Sequence, residues 1–122
     1  MPAWVPAESA AATASWASSS EYCVISTVAL TAWVLENAKS NPNEIGAASV
    51  EYLQAFGYVA YGYMWALMAR AAKAGEGDEA FYSGKLGTAR FYFARLLPET
   101  LTLMNTARSG ADVLMDTDLA LA

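Results

Sequence analysis

Thr88-Ala89-Arg90-Phe91-Tyr92-Phe93-Ala94-Arg95-Leu96-Leu97-Pro98-Glu99-Thr100 sets large apolar side chains between two arginines and then places a proline in the path of its own helix. Pro98 has no N–H, and its ring strikes the carbonyl of Ala94, four residues back. A helix running through this stretch must therefore kink or restart, at a cost of roughly 3 kcal/mol if nothing compensates. Upstream of the break, Phe81, Tyr82, Leu86, Ala89, Phe93 and Leu97 recur mostly at steps of three and four, the mark of one apolar helix side. Asp78 is a natural cap for this third helix, with Glu79 just inside it. Downstream, Leu101, Leu103 and Met104 continue the pattern to about Ser109. Gly110 closes the segment, and Val113, Leu114 and Met115 mark one short tail helix.

The rest of the chain reads as two further helices. Asn41-Pro42-Asn43-Glu44 opens the second, with Asn41 as cap, Pro42 in the first helical position and Glu44 where a capping box places its carboxylate. It runs to about Ala74, where Gly75-Glu76-Gly77 stops it. Val50, Leu53, Gly57, Tyr61, Met64 and Met68 form one face; Tyr52, Phe56, Val59, Tyr63 and Leu67 form another. Two apolar faces predict burial on two sides. Gly46, Gly57 and Gly62 each cost about 1 kcal/mol relative to alanine, so they predict close approach of another backbone, or kinks.

The first helix is expected from about Ala7 to Ser40, with Pro6 and Glu8 as its start signal. Trp16, Ser20, Cys23, Thr27, Leu30, Val34 and Ala38 form one face, with Val24, Val28, Thr31 and Leu35 beside it. A break at Ser18-Ser19-Ser20 would split it in two. The expected fold is one all-α domain over residues 1–122. It is an antiparallel up-down bundle of three long helices plus a proline-broken C-terminal segment, four-helix-bundle-like because the clear connections are short.

Composition narrows the function. The chain has 122 residues and is 56% hydrophobic, above the usual share for a soluble domain. That much apolar side chain leaves some outside the core, facing a partner, lipid or a neighbouring domain. A net charge of −5 with seven Lys and Arg excludes the basic stripe that nucleic acid requires, and disfavours adsorption to an anionic membrane. Cys23 is the only cysteine, which rules out an internal disulfide and fits a reducing cytoplasm. Met1-Pro2-Ala3-Trp4 shows no basic leader. Tyr52 to Ala69 carries no charge, but its aromatics are spread along the run rather than gathered at its ends, which argues against a membrane span.

Nothing in the residues specifies a reaction. The chain has no histidine, no glycine-rich phosphate loop and no metal-ligand spacing. Arg90 and Arg95 are candidate anion contacts, since a guanidinium grips phosphate or carboxylate bidentately; the plainer reading pairs them with Glu51, Glu79 or Glu99. Tyr52, Phe56, Tyr63 and Trp65 are candidate interface residues on the second helix, in an aromatic set that could otherwise line a ligand pocket. Asp112, Asp116 and Asp118 lack the turn glycine and terminal glutamate of a calcium loop and read as a solvated acidic tail. Cys23 reads as a packed small residue, and Glu99 carries no mark of a general base.

The stretch from Thr88 to Thr100 resembles the extra C-terminal domain of a subgroup of bacterial acyl-CoA dehydrogenases, including the 3-methylmercaptopropionyl-CoA dehydrogenase-like enzymes. Glu51-Tyr52-Leu53-Gln54-Ala55-Phe56-Gly57-Tyr58-Val59-Ala60 with Met64-Trp65 is similar to that domain's middle helix, and Phe81 to Gly87 to its lead-in to the last. The resemblance covers residues 8–118 and implies an all-helical appendage of an FAD-dependent enzyme that oxidises an acyl-CoA thioester to the 2-enoyl-CoA. It implies that flavin, thioester and catalytic glutamate belong to preceding domains, so no catalytic, cofactor-binding or metal-binding residue is expected here. The expected partners are a dehydrogenase body or further copies of the chain, whether the chain is an excised domain, a truncated product or a stand-alone relative. The alternatives are a module binding an acyl or aromatic ligand between the second and third helices, and a small membrane protein.

Overall fold

The computed structural model describes residues 10–116 and 118, with side-chain surroundings from Glu21 onward. The described residues are all-helical, without strands. Helix α1 spans Ala10–Ala38, α2 Asn43–Ala74, α3 Glu79–Phe91, α4 Glu99–Ala107 and α5 Asp112–Met115, with a π-helical turn over Tyr92–Leu96 between α3 and α4. The start signal at Pro6 and the side chains of Trp16 and Ser20 lie outside the described residues. Helix α1 runs through Ser18-Ser19-Ser20 without a break.

The helix ends follow local chemistry. The Asp78 carboxylate accepts the Phe81 N–H at 3.0 Å, which caps α3. Asn41 Oδ1 accepts the Asn43 N–H at 3.2 Å at the start of α2. Glu44 departs from the expected capping box. Its Oε1 accepts the N–H of Ala111 at 3.2 Å, across 67 residues of sequence, and ties the start of α2 to the chain after α4. Gly110 supplies the left-handed turn there, with φ +87°. Ala111 is fully buried, so Glu44→Ala leaves a buried N–H unpaired. A loss of about 1.5–3 kcal/mol is expected, and less for Glu44→Gln, which keeps an acceptor. Urea midpoints of the two variants measure this.

The proline break is resolved by a change of winding. The Leu97 N–H reaches back five residues to the Tyr92 carbonyl at 2.9 Å. Widening the turn just ahead of Pro98 accommodates a ring that a regular helix would drive into Ala94. The chain then restarts, with Thr100 N–H on Leu97 O at 3.0 Å and Leu101 N–H on Pro98 O at 3.2 Å.

Helix α2 is central and packs against α1, α3 and α4. One core cluster gathers Cys23, Ala69, Ala89, Tyr92, Phe93 and Leu97; the other gathers Leu30, Ala48, Ala55, Met104 and Ala107. The inward side of α2 is therefore a heptad of small residues, Ala48, Ala55, Gly62 and Ala69, all buried. A Cβ on Gly62 would sit 3.4 Å from Leu97 Cδ1 and 3.7 Å from the Tyr92 ring, so the π turn lies directly on it. Around Gly46 and Gly57 there is open space, contrary to the expected close approach. The two faces expected to be buried correct in the same way. Val50, Leu53, Tyr61, Met64, Phe56 and Tyr63 are exposed, because a helix with neighbours on three flanks admits only small side chains between them.

Candidate functional site

Helical spacing gathers the outward apolar residues of α1 and α2. On α1, Val24, Val28 and Leu35 share one side, with Ile25 next to them. On α2, Ile45, Leu53, Phe56 and Tyr63 do the same. All eight are exposed, from 48% at Val24 to 71% at Leu53. No charged residue occurs from Tyr22 to Leu35 or from Tyr52 to Ala69. A second apolar flank of α2 carries Val50, Tyr61, Met64 and Met68, also exposed.

Among the described residues, two grooves open between α1 and α2. The larger, of about 490 Å³, is lined by Thr31, Leu35, Ile45, Ser49, Tyr52 and Leu53 among others. Its polar element is a relay of hydroxyls. Thr31 donates to the Thr27 carbonyl at 2.9 Å. With that proton committed, the 2.9 Å contact between Tyr52 and Thr31 has the tyrosine as donor. The smaller, of about 280 Å³, is lined by Cys23, Ile25, Val59, Gly62, Tyr63 and Leu97 among others. Burial pushes the Cys23 thiol up from its ordinary pKa, so at neutral pH it is protonated and packs as a small apolar group.

The expected interface set divides. Phe56 and Tyr63 stand on the exposed face; Tyr52, half-buried, walls the larger groove and stacks on Phe56 with ring centroids 6.2 Å apart. Trp65 turns the other way, stacking on Tyr92 at 6.4 Å with the Lys85 ammonium 5.9 Å from its ring centroid. Val24, Ile25, Val28, Leu35, Ile45 and Leu53 complete the face; the sequence placed Val24, Val28, Leu35 and Leu53 on apolar helix faces but not at an interface, and did not single out Ile25 or Ile45. The readable signal was two long charge-free runs facing each other across a short connection. Both grooves lie between α1 and α2, whereas the ligand-binding alternative placed its site between the second and third helices.

The other candidates fall elsewhere. Arg90 is half-buried on the last turn of α3 and Arg95 is exposed on the π turn; neither lines a groove. Asp112, Asp116 and Asp118 are exposed, and the Asp116 carboxylate accepts the Asp118 N–H at 3.0 Å. Among the described residues no group of three acidic, cysteine or histidine side chains is placed to hold a metal. Glu99 accepts the Tyr58 hydroxyl at 2.9 Å, and this hydrogen bond, with the carboxylate's charge, raises the tyrosine's pKa. Among the described residues no helix is long and apolar enough to cross a membrane. The grooves do not suit a flavin dinucleotide, because no lining residue is basic and a pyrophosphate would have no cation to meet.

The sequence model of the family described as acetyl-CoA dehydrogenase C-terminal like matches residues 3–118. No curated protein and no solved structure matches the chain.

Proposed function

The chain belongs to the acetyl-CoA dehydrogenase C-terminal-like family, and on that premise we propose that it is a non-catalytic helical module that packs on and helps assemble an FAD-dependent acyl-CoA dehydrogenase. Flavin and thioester are held by the dehydrogenase body, which oxidises the acyl-CoA to its 2-enoyl product. The chain's own residues supply apolar contact surface. The observation that carries this reading is the exposed apolar surface on both flanks of α2 and on α1 beside it. Surface of this kind is covered in a working protein, since contiguous apolar patches mark interaction sites.

The proposal includes an antiparallel up-down bundle as the scaffold. In support of it, Thr31 meets Tyr52 while Cys23 and Ile25, further back on α1, share a groove with Gly62 and Tyr63, further on along α2. The segment from Arg90 to Glu99 favours the 3-methylmercaptopropionyl-CoA dehydrogenase-like subgroup, and the lone reduced Cys23 favours the cytoplasm. Co-expression with a dehydrogenase body of the family lacking its own such domain tests the function. Co-elution is expected, lost in Met64→Glu on the second apolar flank of α2. Absence of co-elution, with a saturable change in tryptophan fluorescence on adding acyl-CoA, would establish a ligand-binding module instead; the 490 Å³ groove lies within the range of small-molecule sites.

A further inference from the structure

We propose that the α1–α2 face pairs with a second copy of this chain about a two-fold axis at Phe56 and Val28, with Tyr63 of each copy seated in the larger groove of the other. The inference rests on the reading that this face is covered by protein, and it names the protein.

Area is the first argument. The face presents eight large apolar side chains, each about half to seven-tenths exposed. At roughly 100 Å² apiece they supply about 800 Å² per copy. A standard stable interface takes about 800 Å² from each partner. Charge is the second. The protein carries a net −5, which opposes self-association at most surfaces. Here seven of the eight side chains come from runs free of charge, so the middle of the face brings no like charges together, and Glu21 lies at its edge in the smaller groove.

Register is the third. Tyr63 lies seven residues beyond Phe56 on α2, and Ser49, in the larger groove, lies seven before it. Both offsets are about 10 Å at the helical rise of 1.5 Å per residue. A two-fold axis in the plane of the face, perpendicular to the helices at Phe56, brings each Tyr63 over the other copy's Ser49. Thr31 and Tyr52 are paired at the level of that groove, so the same axis passes close to Val28 on α1. Tyr63 is 64% exposed and carries a hydroxyl that needs a partner once covered. The groove meets that need. The Tyr52 oxygen, having given its proton to Thr31, keeps lone pairs to accept another. Phe56 then stacks against its own counterpart, and a residue on the axis meets itself.

Charge swapping at position 56 tests this, because only a two-fold contact there predicts rescue on mixing. By sedimentation equilibrium the chain is expected as a dimer of twice its 13.0 kDa. Phe56→Glu and Phe56→Lys, each placing like charges on the axis, are expected to weaken it by about 100-fold or more. An equimolar mixture is expected to restore a dimer. Phe56→Cys is expected to cross-link to itself under mild oxidation while Met64→Cys on the other flank does not. Circular dichroism verifies that each variant is folded. A wild-type monomer, or Phe56→Glu and Phe56→Lys dimers as tight as wild type, overturns the pairing. If that monomer still co-elutes with the dehydrogenase body, the wider reading stands without it; if it neither co-elutes nor binds an apolar dye, both fall.

Discussion

Leu97→Ala is expected to remove about 2–5 kcal/mol from the folding free energy, read as a lowered urea midpoint with little change in slope. Leu97 is 2% exposed and is one of the largest fully enclosed side chains. It sits between the end of the π turn and Pro98, against Gly62 of α2. Truncation opens a cavity against Gly62, where α2 has no side chain of its own to fill it. A domain stable by 5–15 kcal/mol loses much of its margin. Leu97→Met keeps the volume and is expected to cost under about 1.5 kcal/mol.

Tyr92→Ala is expected to cost about 3–5 kcal/mol, and comparison with Tyr92→Phe divides that between ring and hydroxyl. The ring is 6% exposed and lies between Trp65, at 6.4 Å, and Phe93, at 5.9 Å. The hydroxyl donates to the Tyr58 carbonyl at 2.5 Å and joins the π turn to α2. Tyr92→Phe should lose only about 0.5–1.5 kcal/mol at neutral pH, the usual net worth of one hydrogen bond. Alkaline titration adds a second signature. Burial, with smaller contributions from negative charge on Tyr58, Cys23 and Tyr61, pushes the Tyr92 pKa up from 10.0 to about 12. Between those values the unfolded chain releases the proton and the folded chain keeps it, so stability falls as pH rises. The contribution is fully present below pH 10 and is lost by about pH 12. Tyr92→Phe, with nothing to titrate, should show a shallower decline over that window. Some slope should remain, since the Tyr58 pKa is raised as well.

Much of the fold was legible because its punctuation is local. Proline at 42 and 98, glycine at 75, 77 and 110, and aspartate at 78 act through their own backbone geometry or nearest amides, so each end they mark appears within a residue or two. The partner of Glu44 was not legible. The capping box and the Ala111 N–H demand the same carboxylate, and only the path of the chain after α4 decides between them. The π turn lay hidden for a related reason. Pro98 requires a disturbance upstream, but kink, restart and widened turn all satisfy it. The contacts of Tyr92 and Phe93 with α2 go with the last.

What the sequence determined by itself was an all-helical chain, the helix ends marked by proline, glycine and aspartate, and an excess of apolar side chain over what one small bundle encloses. Tertiary structure decided which side of α2 is inside. Periodicity registers bulky apolar residues strongly and alanine weakly, so the faces holding Phe56, Tyr63 and Leu53 looked like core. The true core face is Ala48, Ala55, Gly62 and Ala69. A helix squeezed by three neighbours has room for small side chains between them, and its large ones are turned outward.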